Sequence, residues 1–472
     1  MERDIEGEKK QMNFITSYFK EPQAIEPIRD NEEVKKLYRN SRINVWLACF
    51  IGYTFFHLCK KNIAVALPNM GEALHYTNLQ LGILGSALYF TYAFGKFING
   101  VLADRSDAKK FFSAALFLSA LCNILFGLSP LLFPNLEATV FGIPASTLLL
   151  FLLAFFWGIN GWFQSMGFPA IAKSLTYWFS NTERGNKWAL WSTSHQLGVA
   201  LASLVTPIII IKTGDWRSAF VIPGIINILV SIYLFKAMKD KPESVGLPDV
   251  ELYIDKKEKS NEKQEDDEDT MSYLQIFKKY ILFNKVMWLL AIAYVFVYII
   301  RFGTEDWIIK YLVEAKNIDI KIASANLLYL SLSGVCGVIS AGYLSDKIFK
   351  GNRTPINIIY LVCLGACIFG LMFPLPAIAI SLLIAGIGFF TAGPQMLIGG
   401  LCAVESSSKK VASAACGFTG IFGYVGAFLS STGTGFFVDK FHWEGALVFW
   451  GVSAFLCVLI CLLLLVVDKK HQ

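Results

Sequence analysis

The residues of this sequence that could do chemistry are cations set inside apolar runs of membrane length. The stretch Ala291–Trp307, AIAYVFVYIIRFGTEDW, places Arg301 after ten apolar or aromatic residues. Arginine midway along a membrane helix costs ~2.5–3.5 kcal/mol on insertion scales, so an anion or a water-filled cavity must compensate it. The first apolar run, Val45–Pro68, carries a similar pair, Lys60 and Lys61, in VWLACFIGYTFFHLCKKNIAVALP. Lys60 and Arg301 stand 241 positions apart, close to the offset between two internal repeats described below. One cation per repeat at matching depth points to a central site for an anion. The simpler reading is that each cation snorkels to the interface, and for Lys61 snorkelling or pairing is the better account. His195, in SHQLGVAL, and Lys96, in YAFGKFING, are further polar groups in apolar surroundings. A lone membrane histidine is often a helix–helix hydrogen bonder, and a buried lysine often pairs with a carboxylate, so both readings stay open.

The elements that must position these groups are long apolar helices. The chain has 472 residues, of which 55% are hydrophobic and 17% charged, and runs of about 20 apolar residues recur along it. The expectation is an all-α membrane protein with twelve transmembrane helices in two six-helix halves. The first half spans 44–237, with helices near 44–66, 80–103, 111–131, 146–175, 187–211 and 217–237. The second spans 287–467, with helices near 287–311, 323–345, 356–374, 377–400, 411–436 and 443–467. Residues 1–43 form a polar arm with a helix expected near Asn31–Asn40. No cleavable signal peptide is visible, so the first apolar run is itself the first span. Residues 238–286 form a linker whose centre, DKKEKSNEKQEDDEDT, is too charged to fold alone, ending in an amphipathic SYLQIFKKY; 468–472 is a short tail.

Loop charge orients the chain. Arg105, Lys109 and Lys110 follow the second span, Arg184 and Lys187 the fourth, Lys347, Lys350 and Arg353 the eighth, and Lys409 and Lys410 the tenth. The loops after spans one, three and nine hold no Lys or Arg, while Lys316 and Lys321 make the loop after span seven a mild exception. The positive-inside bias therefore puts both termini and the linker in the cytoplasm, in a cytoplasmic (inner) membrane. The net charge of +6 is accounted for by these loops and calls for no nucleic acid. The ten cysteines lie mostly within apolar runs without a CxxC pair and read as small hydrophobes. No nucleophile–base pair, metal cluster or phosphate-cradling glycine loop is present, which argues against an enzyme and calls for no cofactor or metal.

The repeat is carried by Gly100-Val-Leu-Ala-Asp104-Arg105, which recurs as Gly342-Tyr-Leu-Ser-Asp346-Lys347 at an offset of 242. Met166–Pro169 is echoed by Thr391–Pro394, and His195–Gly198 by Gly423–Gly426, at offsets of 225–228. The first half therefore has a longer loop, placed at 130–145. Physically, a carboxylate at such a helix end can pair with a basic group on a neighbouring helix and latch one conformation.

The duplicated GxLxD pattern is similar to the loop motif of the major facilitator superfamily. KKNIAVALP, GKFINGVLADRS, TERGNKWALWSTSH, VFVYIIRFGTEDW, AGYLSDKIFKGNR and GFTGIFGYVGA resemble the organophosphate:phosphate antiporters within it, through nearly the whole chain outside arm and linker. That resemblance implies a substrate phosphate held between Lys60 and Arg301, with His195 beside it. Lys60 stands where the family usually has arginine, which keeps the charge and loses the planar pair of donors. The resemblance also implies a cavity lined by Tyr53, His57, Lys96, Tyr298 and Tyr424, with gating at Asp104, Arg105 and Asp346. Ser331 and Ala392 are further departures that would line the pocket reading the organic group. The function implied is exchange of a phosphorylated sugar, hexose 6-phosphate in the first place, for inorganic phosphate by alternating access within the lipid bilayer. Two alternatives belong to the same resemblance: a membrane sensor for external hexose phosphate with a kinase partner, and a glycerol-3-phosphate:phosphate antiporter. A facilitator for an unrelated carboxylate is a further rival.

Overall fold

A backbone surrounded by lipid must satisfy its amides within each apolar run, and helices do so without help from neighbours. A computed structural model describes residues 18–255, 273–350, 352–407 and 411–468. The first span is one continuous helix, Asn31–Leu74, started by the Asp30 side chain accepting from the Glu32 amide and by Glu32 and Glu33 in its first turn. The separate helix expected near Asn31–Asn40 is thus the foot of the first span. The second, Asn78–Asp104, begins with a capping box between Thr77 and Gln80, and the third, Ala108–Leu128, with Asp107. The fourth is broken at Ser165–Met166 into Ala145–Gln164 and Gly167–Trp178, where Pro169 cannot supply the amide that would continue the ladder. The fifth and sixth are Asn181–Thr213, ended by the left-handed Gly214, and Ser218–Ala237.

The second half repeats the plan. Its helices are Lys285–Lys316, Ile320–Lys347, Thr354–Gly370 and Ala377–Met396, the last prolonged by Leu397–Cys402. The eleventh and twelfth spans lie within Ala412–Asp468 and part at Phe441 and His442, whose backbone is non-helical. The longer loop of the first half contains a small hairpin, Thr139–Val140 against Ile143–Pro144. Before the seventh span, the SYLQIFKKY segment forms a short helix, Tyr273–Phe277, continued by the wider turn Lys278–Leu282. The charged centre of the linker lies outside the described residues except at Asp255. Nine helices among the described residues, with the kinked pair counted once, are long and apolar enough to cross a membrane. The protein is a multi-pass membrane protein.

The halves meet most closely through the second and eleventh spans, at the membrane face away from the termini (the far face). Glycines permit the approach: a Cβ at Gly82 would stand 2.4 Å from the Ser431 carbonyl oxygen, and one at Gly435 2.2 Å from that of Asn78. Asp439 accepts from the Asn78 and Leu79 amides at 2.9 and 2.7 Å, so a carboxylate of the second half caps a helix of the first. Ser86 donates to the Phe428 carbonyl at 2.7 Å nearby. At the opposite, terminal face, the arm straps the first half to itself. The Asp107 amide donates to Phe19, Ile25 to Glu243 and Ile28 to Gly246, and Glu21 pairs with Lys173 and Lys241. Burial pushes the Glu21 carboxyl up, and the two lysines outweigh it, so the carboxyl is held below its ordinary value.

Candidate functional site

The first and seventh helices pack against one another and bring the expected cations to one cavity of about 370 Å³ between the halves. Tyr53, His57, Lys60, Lys96, His195, Tyr298, Arg301 and Tyr424 all line it. The first helix supplies Tyr53, His57 and Lys60 at successive turns of one face. The fifth supplies His195, whose ring lies edge-on to His57 at 4.3 Å between centroids. Small residues set these helices close: a Cβ at Gly198 would lie 2.5 Å from the Thr54 carbonyl oxygen.

The two focal cations have different surroundings. Arg301 Nε donates to Glu305 Oε1 at 2.9 Å, one turn along its own helix. Its Nη2 lies 3.3 Å from His195 Nε2. Since a guanidinium only donates, a hydrogen bond here requires that nitrogen to accept. Lys60 is 7% exposed and has no carboxylate within ion-pair distance among the described residues; its Nζ lies 4.5 Å from the centroid of the Tyr92 ring and 5.9 Å from that of Tyr89. Lys61 does not snorkel. Its Nζ is 2.8 Å from Glu305 Oε2 and 2.7 Å from Asp306 Oδ1, and the second oxygen of Asp306 accepts from the Tyr89 hydroxyl at 2.5 Å. The pairing alternative for Lys61 is the one realised, and it crosses between the halves.

Glu305, Asp306, Tyr89 and Tyr92 are therefore members of this site that the sequence reading did not assign. The signal was present in GTEDW: two carboxylates four and five residues beyond an intramembrane arginine. The i,i+4 spacing identifies Glu305 as a partner for Arg301; nothing local shows that Lys61 of the other half shares it.

Among the described residues, Lys60, Lys61, Lys96 and Arg301 face only two neighbouring carboxylates, Glu305 and Asp306, so the cluster carries an excess of about two positive charges. Lys96 Nζ is 5.4 Å from the Tyr424 ring centroid and 6.0 Å from that of Phe168, and Tyr424 stacks on Tyr92 at 4.5 Å. Tyr294 donates to the Tyr298 hydroxyl at 3.2 Å. The opposite wall is small and polar, with Ser331, Thr391, Ala392 and Gln395. At the far face the cavity is closed by the Lys61–Asp306–Tyr89 bridge, Ser86 and Asp439. Its lining extends instead toward the terminal face through Lys96, Trp188 and Met396.

The expected gating residues lie apart from the cavity, at helix ends on the terminal face. Asp346 pairs with Arg353, which also reaches Glu405 at 3.2 Å, joining the ends of the eighth, ninth and tenth spans within one half. Arg105 is exposed. The Asp104 side chain lies outside the described residues.

Residues 49–431 match the model of the Major Facilitator Superfamily. Solved structures agree in fold: a bacterial homolog of the human lysosomal transporter Spinster, inward-facing and unoccupied, has a TM-score of 0.66 at 16% identity, covering 89% of this chain and 95% of that one. Three relatives give the branch. A probable hexose phosphate transport protein of Chlamydia pneumoniae is 38% identical, covering 96% of each chain. The glycerol-3-phosphate transporter of Bacillus subtilis is 34% identical over 94% of this chain and 96% of its own. The membrane sensor protein UhpC of Escherichia coli is 34% identical over 94% of this chain and 97% of its own. The chain belongs to the organophosphate:phosphate antiporter family of the Major Facilitator Superfamily.

Proposed function

We propose that this protein exchanges a phosphorylated sugar, with hexose 6-phosphate as first candidate, for inorganic phosphate across the cytoplasmic membrane. One observation carries the reading: Lys60 is a buried cation without a carboxylate partner among the described residues, across a cavity from Arg301, in a cluster whose excess charge suits a phosphate near −2. An unpaired ammonium at this depth is costly, and a phosphate ligand offsets that cost. His195 and the tyrosines add neutral hydrogen-bonding groups, and Ser331, Thr391 and Gln395 face the space left for the organic part.

Loop charge supports placing both termini in the cytoplasm, so the cavity reaches toward the cytoplasm and the far seam closes the outer side. Phosphate bound between Lys60 and Arg301 competes with Glu305 for the guanidinium. It also neutralises the cations that would otherwise repel as the halves rock, which favours exchange over passage of a single solute. Asp104, Arg105 and Asp346 act on this rocking from the helix ends. The substrate leaves chemically unchanged, so the role is not enzymatic and gradients alone drive it. The test is phosphate self-exchange by the purified protein in liposomes. Hexose 6-phosphates should compete at lower concentration than glycerol 3-phosphate; failure of excess phosphate to compete with substrate would favour a carboxylate facilitator instead.

A second reading rests on the likeness to a membrane sensor along almost the whole chain, and on lysine at position 60. In that case the same cavity binds external hexose phosphate and a kinase reads its occupancy. Binding without exchange would support it.

A further inference from the structure

A second group of cations lies outside the central cavity, at the foot of the first helix. Lys35, Arg39, Arg42 and Trp46 recur at helical spacing and share one face. That face forms one wall of a groove of about 550 Å³, the start of the fifth span, with Glu183 and Lys187, forms the other, and Tyr253 of the linker also lines it. Trp46 Nε1 donates to the Lys187 carbonyl at 3.2 Å and fixes the two walls together. Arg42 is committed to Glu183 and sits 4.9 Å from the Phe179 ring centroid. Lys35 and Arg39 are exposed and have no acidic partner among the described residues. Among the described residues that line the groove, four cations thus meet one carboxylate. Ile43 and Leu47, next to this wall, are 49% and 39% exposed, and the apolar part of the span begins at Val45.

The groove therefore has charge at the level where the apolar span begins, an indole at that level, and uncovered aliphatic side chains leading into the membrane. A free anion would use only the first of these. We propose that this groove binds the headgroup phosphate of an anionic phospholipid from the leaflet on the side of the termini. Lys35 and Arg39 hold the phosphate, Trp46 lies at headgroup depth, and the acyl chains run over Ile43 and Leu47. Both walls belong to the helices that carry Lys60 and His195, so the lipid braces the part of the first half that faces the central cavity.

The experiment measures binding of fluorescent phosphatidylglycerol and phosphatidylcholine, matched in chains, to the purified full-length protein in a neutral detergent. Phosphatidylglycerol should bind at least tenfold more tightly. Lys35→Gln and Arg39→Gln should each weaken it by about fivefold, and the double variant by about 25-fold, with phosphate binding in the central cavity unchanged as the check on folding. Millimolar inorganic phosphate at constant ionic strength should leave the lipid in place. Equal retention of the two lipids, or variants that hold phosphatidylglycerol like the wild type, would overturn the proposal. Displacement by inorganic phosphate would also overturn it, assigning the groove to a free anion.

Discussion

The first and seventh helices occupy equivalent places in the two halves, yet they bring opposite balances of charge to the cavity. The first contributes Lys60 and Lys61 and no acid within reach; the seventh contributes Arg301 together with Glu305 and Asp306. Arg301 thus carries a counterion on its own helix, whereas Lys61 must borrow both carboxylates from the other half, and Lys60 has none among the described residues. A repeat that fixes depth does not fix charge. The difference means that the far seam is an ion bridge between halves, and that an anion in the cavity would meet Lys60, which has no carboxylate partner among the described residues, and Arg301, which Glu305 must share.

The largest effect should come from breaking the arginine side of this comparison. Arg301→Ala should cut phosphate-coupled uptake by about 100-fold or more at matched expression, because a buried charged hydrogen-bonding group is worth ~2–5 kcal/mol to a ligand. Arg301→Lys should recover little, since it keeps the charge and loses the planar pair of donors. Wild-type uptake in the alanine variant would remove the phosphate assignment.

Next in size is the bridge. Asp306→Asn leaves Lys61 with Glu305 alone and weakens a charged hydrogen bond of ~1.5–3 kcal/mol. A cysteine introduced at Leu81, behind Lys60 near the far seam, should then label at least fivefold faster from the far side, in a variant with its native cysteines replaced. Unchanged labelling would mean that the seam is held by Asp439 and the glycine contacts instead.

The smallest effects should come from the duplicated GxLxD ends. Asp104→Asn should lower turnover several-fold while leaving substrate binding within about twofold. Asp346→Asn should do less, about twofold in turnover, because its pair with Arg353 is exposed and such pairs contribute ~0–1 kcal/mol. Weakened binding with full turnover in either variant would place that carboxylate at the substrate instead.

Much of this was legible in the sequence because lipid imposes simple rules. Apolar length pointed to the helices, and the offset between Lys60 and Arg301 pointed to a shared site, and both line one cavity. Other features depend on contacts that no local pattern carries. The foot of the first helix reads as a polar arm because its charges face water and headgroups, yet Asp30 starts a helix that runs unbroken into the span. The break at Ser165–Met166 was hidden within one apolar run, where Pro169 and the nearby Gly167 gave only a weak cue. Glu305 and Asp306 were visible as residues, but their link to Lys61 lies 245 positions away for Asp306 and exists only once the halves close at the far face.

We propose that Lys60 and Arg301 clamp one phosphate together. A cycle of phosphate binding to the wild type, Lys60→Ala, Arg301→Ala and the double variant tests it most directly, with Lys60→Arg as the conservative control. Lys60→Ala should lose binding as severely as Arg301→Ala, the double should be little worse than either single, and Lys60→Arg should bind at least as tightly as the wild type. Normal phosphate binding in Lys60→Ala beside loss in Arg301→Ala would contradict it and leave Lys60 a cation held only by the Tyr89 and Tyr92 rings.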